Sequence, residues 1–214
     1  MATPSPDLDE VLDVAAELVI KDSLGAVTIR SVASRLDLSD DELLDRFPTL
    51  TDLLVSMVNR EYVAMFRVVL DNVERDPLGG LLSRIVRYTL TAIYERELAR
   101  ALYLSDRDGL NSVMRASYGL GHTPHLRLRS NFIEQMQLAG MVREDVDPEW
   151  ITAAVSALAA GMALTSPHDD LDDIVDGISF MLDRSVDVPV DDTNPGKIVF
   201  REYASSLASR TGRR

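Results

Sequence analysis

The chain has 214 residues, 46% hydrophobic, 27% charged and 6% aromatic, which is globular composition and excludes wholesale disorder. It has no cysteine, which excludes disulfides, Fe–S clusters and thiolate zinc sites and fits a reducing compartment. A formal net charge of −13 runs against a chain whose whole surface is built for nucleic acid, so the location of charge matters more than its total.

The opening MATPSPDLDE has no basic stretch followed by an apolar one, so no signal peptide is expected. Leu8, Val11, Leu12, Ala15, Leu18 and Val19 then follow the spacing of a one-faced helix, started by Pro6-Asp7 and ended by Asp22, Ser23 and Gly25. A second helix is predicted from Thr28, as N-cap, to Leu36, and a third from Asp40 to Arg46. Ser39 to Glu42 reads S-x-x-E, a capping box. Phe47-Pro48 stops the third helix, and Thr49 to Asp52 caps a long fourth one reaching about Glu74. Further helices are predicted over about 78–96, 97–104, 108–117 and 124–138. Asp147-Pro148 starts another that runs to about Thr165, and the next covers about 171–184. A linker around Pro189 to Gly196 precedes a last helix at about Ile198–Ser209. The longest apolar stretch, Ile151 to Leu164, contains Thr152 and Ser156 and is too short to span a bilayer. No strand alternation or internal repeat is present. The expected fold class is all-α, and the expected location is the cytoplasm.

Three short helices, the second and third joined by a three-residue turn, followed by a long helix, make a helix-turn-helix arrangement. Val11-Leu12-Asp13-Val14-Ala15-Ala16-Glu17-Leu18, Val27-Thr28-Ile29-Arg30-Ser31-Val32-Ala33, Leu38-Ser39, Phe47 and Asp52-Leu53-Leu54 together resemble, without a gap from Val11 to Leu54, the tetracycline-repressor (TetR) family of regulators. The resemblance implies a helix-turn-helix DNA-binding domain over 1–54 and a helical effector-binding and dimerisation domain over 55–188. The C-terminal extension with a short basic helix, 189–214, is unusual beside the family's common length. It also implies a homodimeric transcriptional regulator that binds DNA and a small effector, with Thr28, Arg30 and Arg46 touching DNA and Ser39 seating the recognition helix.

The departures from the family pattern fall on the surface that should meet DNA. The turn glycine is Asp37, the glycine of S-x-G is Asp41, the recognition-helix tyrosine is Leu44, and the lysine that opens the fourth helix is Leu50. Aspartate tolerates the left-handed conformation better than most residues, so the turn can survive. Ser39 to Arg46 carries four acids against one base, and residues 1–60 carry twelve acids against five bases. Acids favour a helix start but oppose a phosphate there. One could accept from cytosine N4; four sit poorly on a polyanion. The alternative reading is therefore a TetR-fold protein with a degenerate acidic recognition helix that binds no conventional operator and acts through ligand or protein contacts.

For the C-terminal body, the candidate pocket residues are Phe66, Tyr88, Tyr94, Tyr103, Met114, Tyr118, Phe132, Met136 and Trp150, suited to an apolar or amphipathic effector. Ala153, Ala154, Ala157, Ala160 and Gly161 form a small-residue stripe fit for a dimer interface, with an intramolecular packing role as the alternative. His122 and His125 are the one close histidine pair and lack a third ligand, so no metal is expected, nor any cofactor. No acid–base or nucleophile constellation appears, so the chain is not read as an enzyme. The last twenty residues hold five bases and one acid, with Ile198, Val199, Tyr203 and Leu207 as a possible apolar strip. This tail could dock on the body or on a partner protomer, act as an auxiliary phosphate-binding arm, or trail in solvent.

Overall fold

A computed structural model describes residues 7–102, 113, 130–165 and 170–211. Among these residues the structure is helical, with a single isolated antiparallel bridge between Val142 and Asp187 and no strand. The helices are α1 (Leu8–Lys21), α2 (Ile29–Arg35), α3 (Asp40–Leu44), α4 (Leu50–Arg75), α5 (Leu82–Glu95), α6 (Glu97–Arg100), α7 (Ser130–Leu138), α8 (Pro148–Thr165), α9 (Leu171–Ser185) and α10 (Asn194–Thr211). No described helix is long and apolar enough to cross a membrane. Apart from Val113, which is helical, the expected helix over 108–117 lies outside the described residues, as do the first part of 124–138, His122 and His125.

The chain divides into two compact units, one reaching Tyr62 and resuming at Arg96, the other holding Val63–Glu95 and the described residues from 130 onward. In the first, Asp7 caps α1 by accepting from Glu10 N at 2.8 Å, and Val11, Leu12, Ala15, Leu18 and Val19 turn inward. These side chains share one small core with Val32 and Ala33 of α2, Leu43 of α3, Phe47 of the turn after α3 and Leu53 of α4. So small a core buries too little to be robust by itself. Part of the remainder comes from α4, where Arg60 reaches Asp13 at 2.6 Å and donates to the main-chain oxygen of Asp9 at 3.0 Å. Arg96 closes a two-pronged pair on Glu61 at 2.6 and 2.9 Å.

In the second unit α9 lies along α5, α8 along α7, and α10 on α7. Helix α5 starts at Leu82, not at the expected Leu78. The cause is a turn over Pro77–Gly80, in which Asp76 accepts from Leu78 N at 2.9 Å and Gly80 passes close to another backbone. A methyl at Gly80 would stand 1.8 Å from the carbonyl oxygen of Thr193, and one at Gly196 would stand 2.0 Å from the carbonyl oxygen of Gly80. That crossing seats α10. Thr193 Oγ1 donates to the Pro77 oxygen at 2.7 Å, Lys197 Nζ to the Glu74 oxygen at 3.1 Å, and Arg201 pairs with the Glu74 carboxylate at 2.6 Å. Phe200 is 1% exposed and meets Phe132 edge-on at 6.3 Å, while Tyr203 tilts over the same ring at 4.7 Å.

The last helix therefore begins four residues before the expected Ile198. Its buried strip is Gly196, Lys197, Phe200 and Ala204, and Ile198 faces out at 49% exposure. The expected start after Gly196 assumed that glycine ended a linker, whereas here it is the contact residue of a helix's first turn. Between α7 and α9, Arg143 N donates to the Val186 oxygen at 2.9 Å and Val188 N to the Met141 oxygen at 3.1 Å.

Candidate nucleic-acid interface

The α2–turn–α3 segment is built by three local devices. Thr28 and Ser31 cap the start of α2 reciprocally: Ser31 N donates to Thr28 Oγ1 at 3.0 Å and Thr28 N to Ser31 Oγ at 2.9 Å. Helix α2 stops because Asp37 takes φ +53°, which lets Leu38 N reach back to the Ala33 oxygen at 3.0 Å. Aspartate does here what glycine ordinarily does. Helix α3 then opens on a second reciprocal cap, with Glu42 N donating to Ser39 Oγ at 3.2 Å and Ser39 N to Glu42 Oε2 at 2.8 Å. These bonds hold the Glu42 carboxyl below its usual range, the Ser39 backbone bond contributing most and Arg46 adding a smaller favourable field. Leu43 is fully buried and Phe47 is 4% exposed, so α3 is anchored by its inner face.

The outward face contains the residues expected to meet DNA. Thr28 and Ser39 are exposed, and each spends its oxygen on a cap. The Arg30 side chain is 83% exposed and bonds Asp40 at 3.3 Å, which ties the start of α2 to the start of α3. Arg46 follows α3 and is half-buried. Of the four acids of this segment, Asp40 is engaged by Arg30 and Glu42 is folded back on Ser39, while Asp41 and Asp45 face solvent. Leu44 is 36% exposed on the same face, and Leu50 is half-buried at the first position of α4. Ser31 is the residue of this site that sequence reasoning missed; the T-x-x-S spacing from Thr28 carried the signal, because serine can replace the usual glutamate in a capping box.

The described candidate effector residues, all in the second unit, fall in different settings. Phe132 and Met136 are buried on α7, Tyr94 is buried on α5, and Phe66 on α4 is half-buried. Tyr88 donates its hydroxyl to Asp76 at 2.8 Å; burial first, and then that bond, push its pKa up. Trp150 is 73% exposed in the first turn of α8. Tyr103, Met114 and Tyr118 lie outside the described residues. Of the small-residue stripe on α8, Ala153, Ala154 and Ala157 are exposed and Gly161 is half-buried, while the Ala160 side chain is not among those described. Among the described residues no group of three His, Asp or Glu side chains could hold a metal ion.

The described residues form a helix-turn-helix unit whose chain continues through one long helix into a second helical unit. The fold is that of the TetR family. Solved structures similar to this chain include the fatty acid degradation regulator FadR from Bacillus halodurans, at a TM-score of 0.56 and 12% identity, covering 85% of this chain and 96% of that one. A TetR-family regulator from Rhodococcus gives 0.55 and 15%, covering 82% and 96%. A TetR regulator from Streptomyces coelicolor gives 0.50 and 17%, covering 82% and 98%. No protein-family model matches the sequence, and no curated protein does.

Proposed function

We propose that this protein is a dimeric transcriptional regulator that binds DNA through α2 and α3 and answers to a small effector held by its second unit. The observation that carries the reading is the seating of α3. Its turn, cap and inner face are all specified, with Asp37 left-handed, Ser39 and Glu42 reciprocally bonded, and Leu43 and Phe47 buried. A short polar helix held this firmly against solvent suits presentation to a groove.

The acidic surface does not bar this function. The Arg30–Asp40 pair is solvent-exposed, and such pairs are worth about 0.2–1 kcal/mol, so Arg30 can leave Asp40 for a phosphate at little cost. Arg30 and Arg46 are assigned to phosphate or base edges, with Thr28 and Ser39 orienting the two helices. The stripe Ala153, Ala154, Ala157, Ala160 and Gly161 of α8 is assigned to the twofold interface. Phe66, Tyr94, Phe132 and Met136, with Tyr88, supply the mostly apolar lining suited to an amphipathic effector. The extension from residue 189 then belongs to the effector-binding body, through α10, and the chain is placed in the cytoplasm.

The test is fluorescence polarisation of the full-length protein on a duplex from its own upstream region. Specific binding should exceed that to scrambled DNA by about a thousandfold or more. Arg30→Gln should weaken binding to both duplexes and lower the salt slope by about one if it grips phosphate. Equal, weak binding to both duplexes at physiological salt would remove DNA reading from this domain.

A further inference from the structure

Helices α5 and α9 of the second unit border a groove of about 270 Å³, well away in sequence from α2 and α3. Its floor is two hydroxyls almost wholly removed from solvent, Ser83 at 1% and Ser179 at 7% exposure. Ser179 Oγ donates to the main-chain oxygen of Ser83 at 3.2 Å, and Ser83 N donates to the buried Asp187 carboxylate beneath at 3.3 and 3.4 Å. A hydroxyl has one proton, and that of Ser179 is spent below the groove. The floor therefore offers oxygen lone pairs and asks a ligand for donors.

The walls make two opposite demands. Asp183 adds a carboxylate beside that floor, with Arg184 Nε standing 3.6 Å from it, too far for a strong hydrogen bond. Asp176 is held by Arg87 at 2.6 and 2.7 Å, so these two largely satisfy each other. Arg84 is different: the Asp76 carboxylate stands 3.8 Å from its Nε, which leaves its planar fork with donors for an anion. Phe180, 61% exposed, gives an apolar flank. Two arginines and two aspartates cancel in formal charge, so the favoured ligand is neutral overall with its charges separated. The volume lies just below the roughly 300 Å³ at which pockets for drug-sized ligands begin, which limits the ligand to metabolite size.

We propose that this groove binds a free α-amino acid, its ammonium group on the Ser83–Ser179 floor and Asp183, its carboxylate on Arg84. This site is distinct from the apolar pocket assigned above and does not depend on DNA binding.

Isothermal titration of the full-length protein with each standard L-amino acid, up to about 10 mM, tests the assignment. One or a few should bind. For the best of them, the C-terminal amide and the N-acetyl derivative should each bind about tenfold more weakly or worse, because each removes one charged end. Arg84→Gln, on a part-exposed side chain, should weaken binding at least as much with an unchanged melting temperature. Asp183→Asn should cost affinity for the amino acid while leaving Arg84 in place. Absence of binding across the set, including absence because a second copy fills the groove, overturns the proposal. So does a bound amino acid whose affinity survives amidation or Arg84→Gln.

Discussion

Asp37 sits at φ +53°, where an L-residue other than glycine is held against a cost of about 1–2 kcal/mol. Aspartate and asparagine tolerate the position; a β-branched side chain does not. Asp37→Val should therefore destabilise the first unit by about 1–2 kcal/mol in urea denaturation, whereas Asp37→Gly should not. Ser39→Ala removes one half of the α3 cap and should cost about 0.5–2 kcal/mol in the same measurement. A different residue governs the response to pH. Asp187 is 6% exposed, and its pKa is raised from the usual 3.8 to about 6, chiefly by burial and against bonds from Ser83. The fold thus favours the neutral carboxyl. That contribution is whole below pH 3.8 and is lost as pH rises through about 6, a change of about 3 kcal/mol. Asp187→Asn keeps an oxygen for Ser83 N and cannot ionise. Between pH 3.8 and 7 its stability relative to the parent should rise by about that amount; a flat difference across this range would mean that Asp187 titrates like a surface acid.

At the scale of elements, the C-terminal helix is a fixed part of the second unit and not a trailing arm. Phe200→Ala should cost about 3–5 kcal/mol, since it leaves a hole beside Phe132. Gly80→Ala should cost about 3 kcal/mol or more, because backbone and not a side-chain tip would have to yield. Hydrogen exchange should then show α10 losing protection while α1 to α3 keep theirs. This helix also marks where reading the sequence failed. The first unit could be read because its signals are local: S-x-x-E at Ser39, T-x-x-D at Thr49 and helical spacing from Val11 onward each act within a few residues. Helix α10 depends on Gly80 meeting Gly196 and on Lys197 finding the end of α4, pairings with no local trace. The five bases of the tail drew the eye to phosphate, but Lys197 and Arg201 are spent on Glu74. The α5–α9 groove was hidden for the same reason, since Ser83 and Ser179 lie 96 residues apart.

At the scale of the whole molecule, the proposed twofold interface has a built-in reporter. Trp150 is the single tryptophan and stands 73% exposed at the start of α8. If α8 pairs with its counterpart in a second protomer, dilution through dissociation should move Trp150 emission to longer wavelength, in step with the sedimentation coefficient. A spectrum independent of concentration alongside a falling sedimentation coefficient would place the interface elsewhere.

The docking of α10 also sets an order of events during synthesis. Thr193 bonds Pro77 across 116 residues and Arg201 bonds Glu74 across 127, so the second unit cannot close until Arg201 has been made. The contacts among α1, α2 and α3 are short in sequence and can form as soon as those helices leave the ribosome. Chains released early would thus carry a folded first unit on a body with Phe132 uncovered, a species expected to aggregate or be degraded.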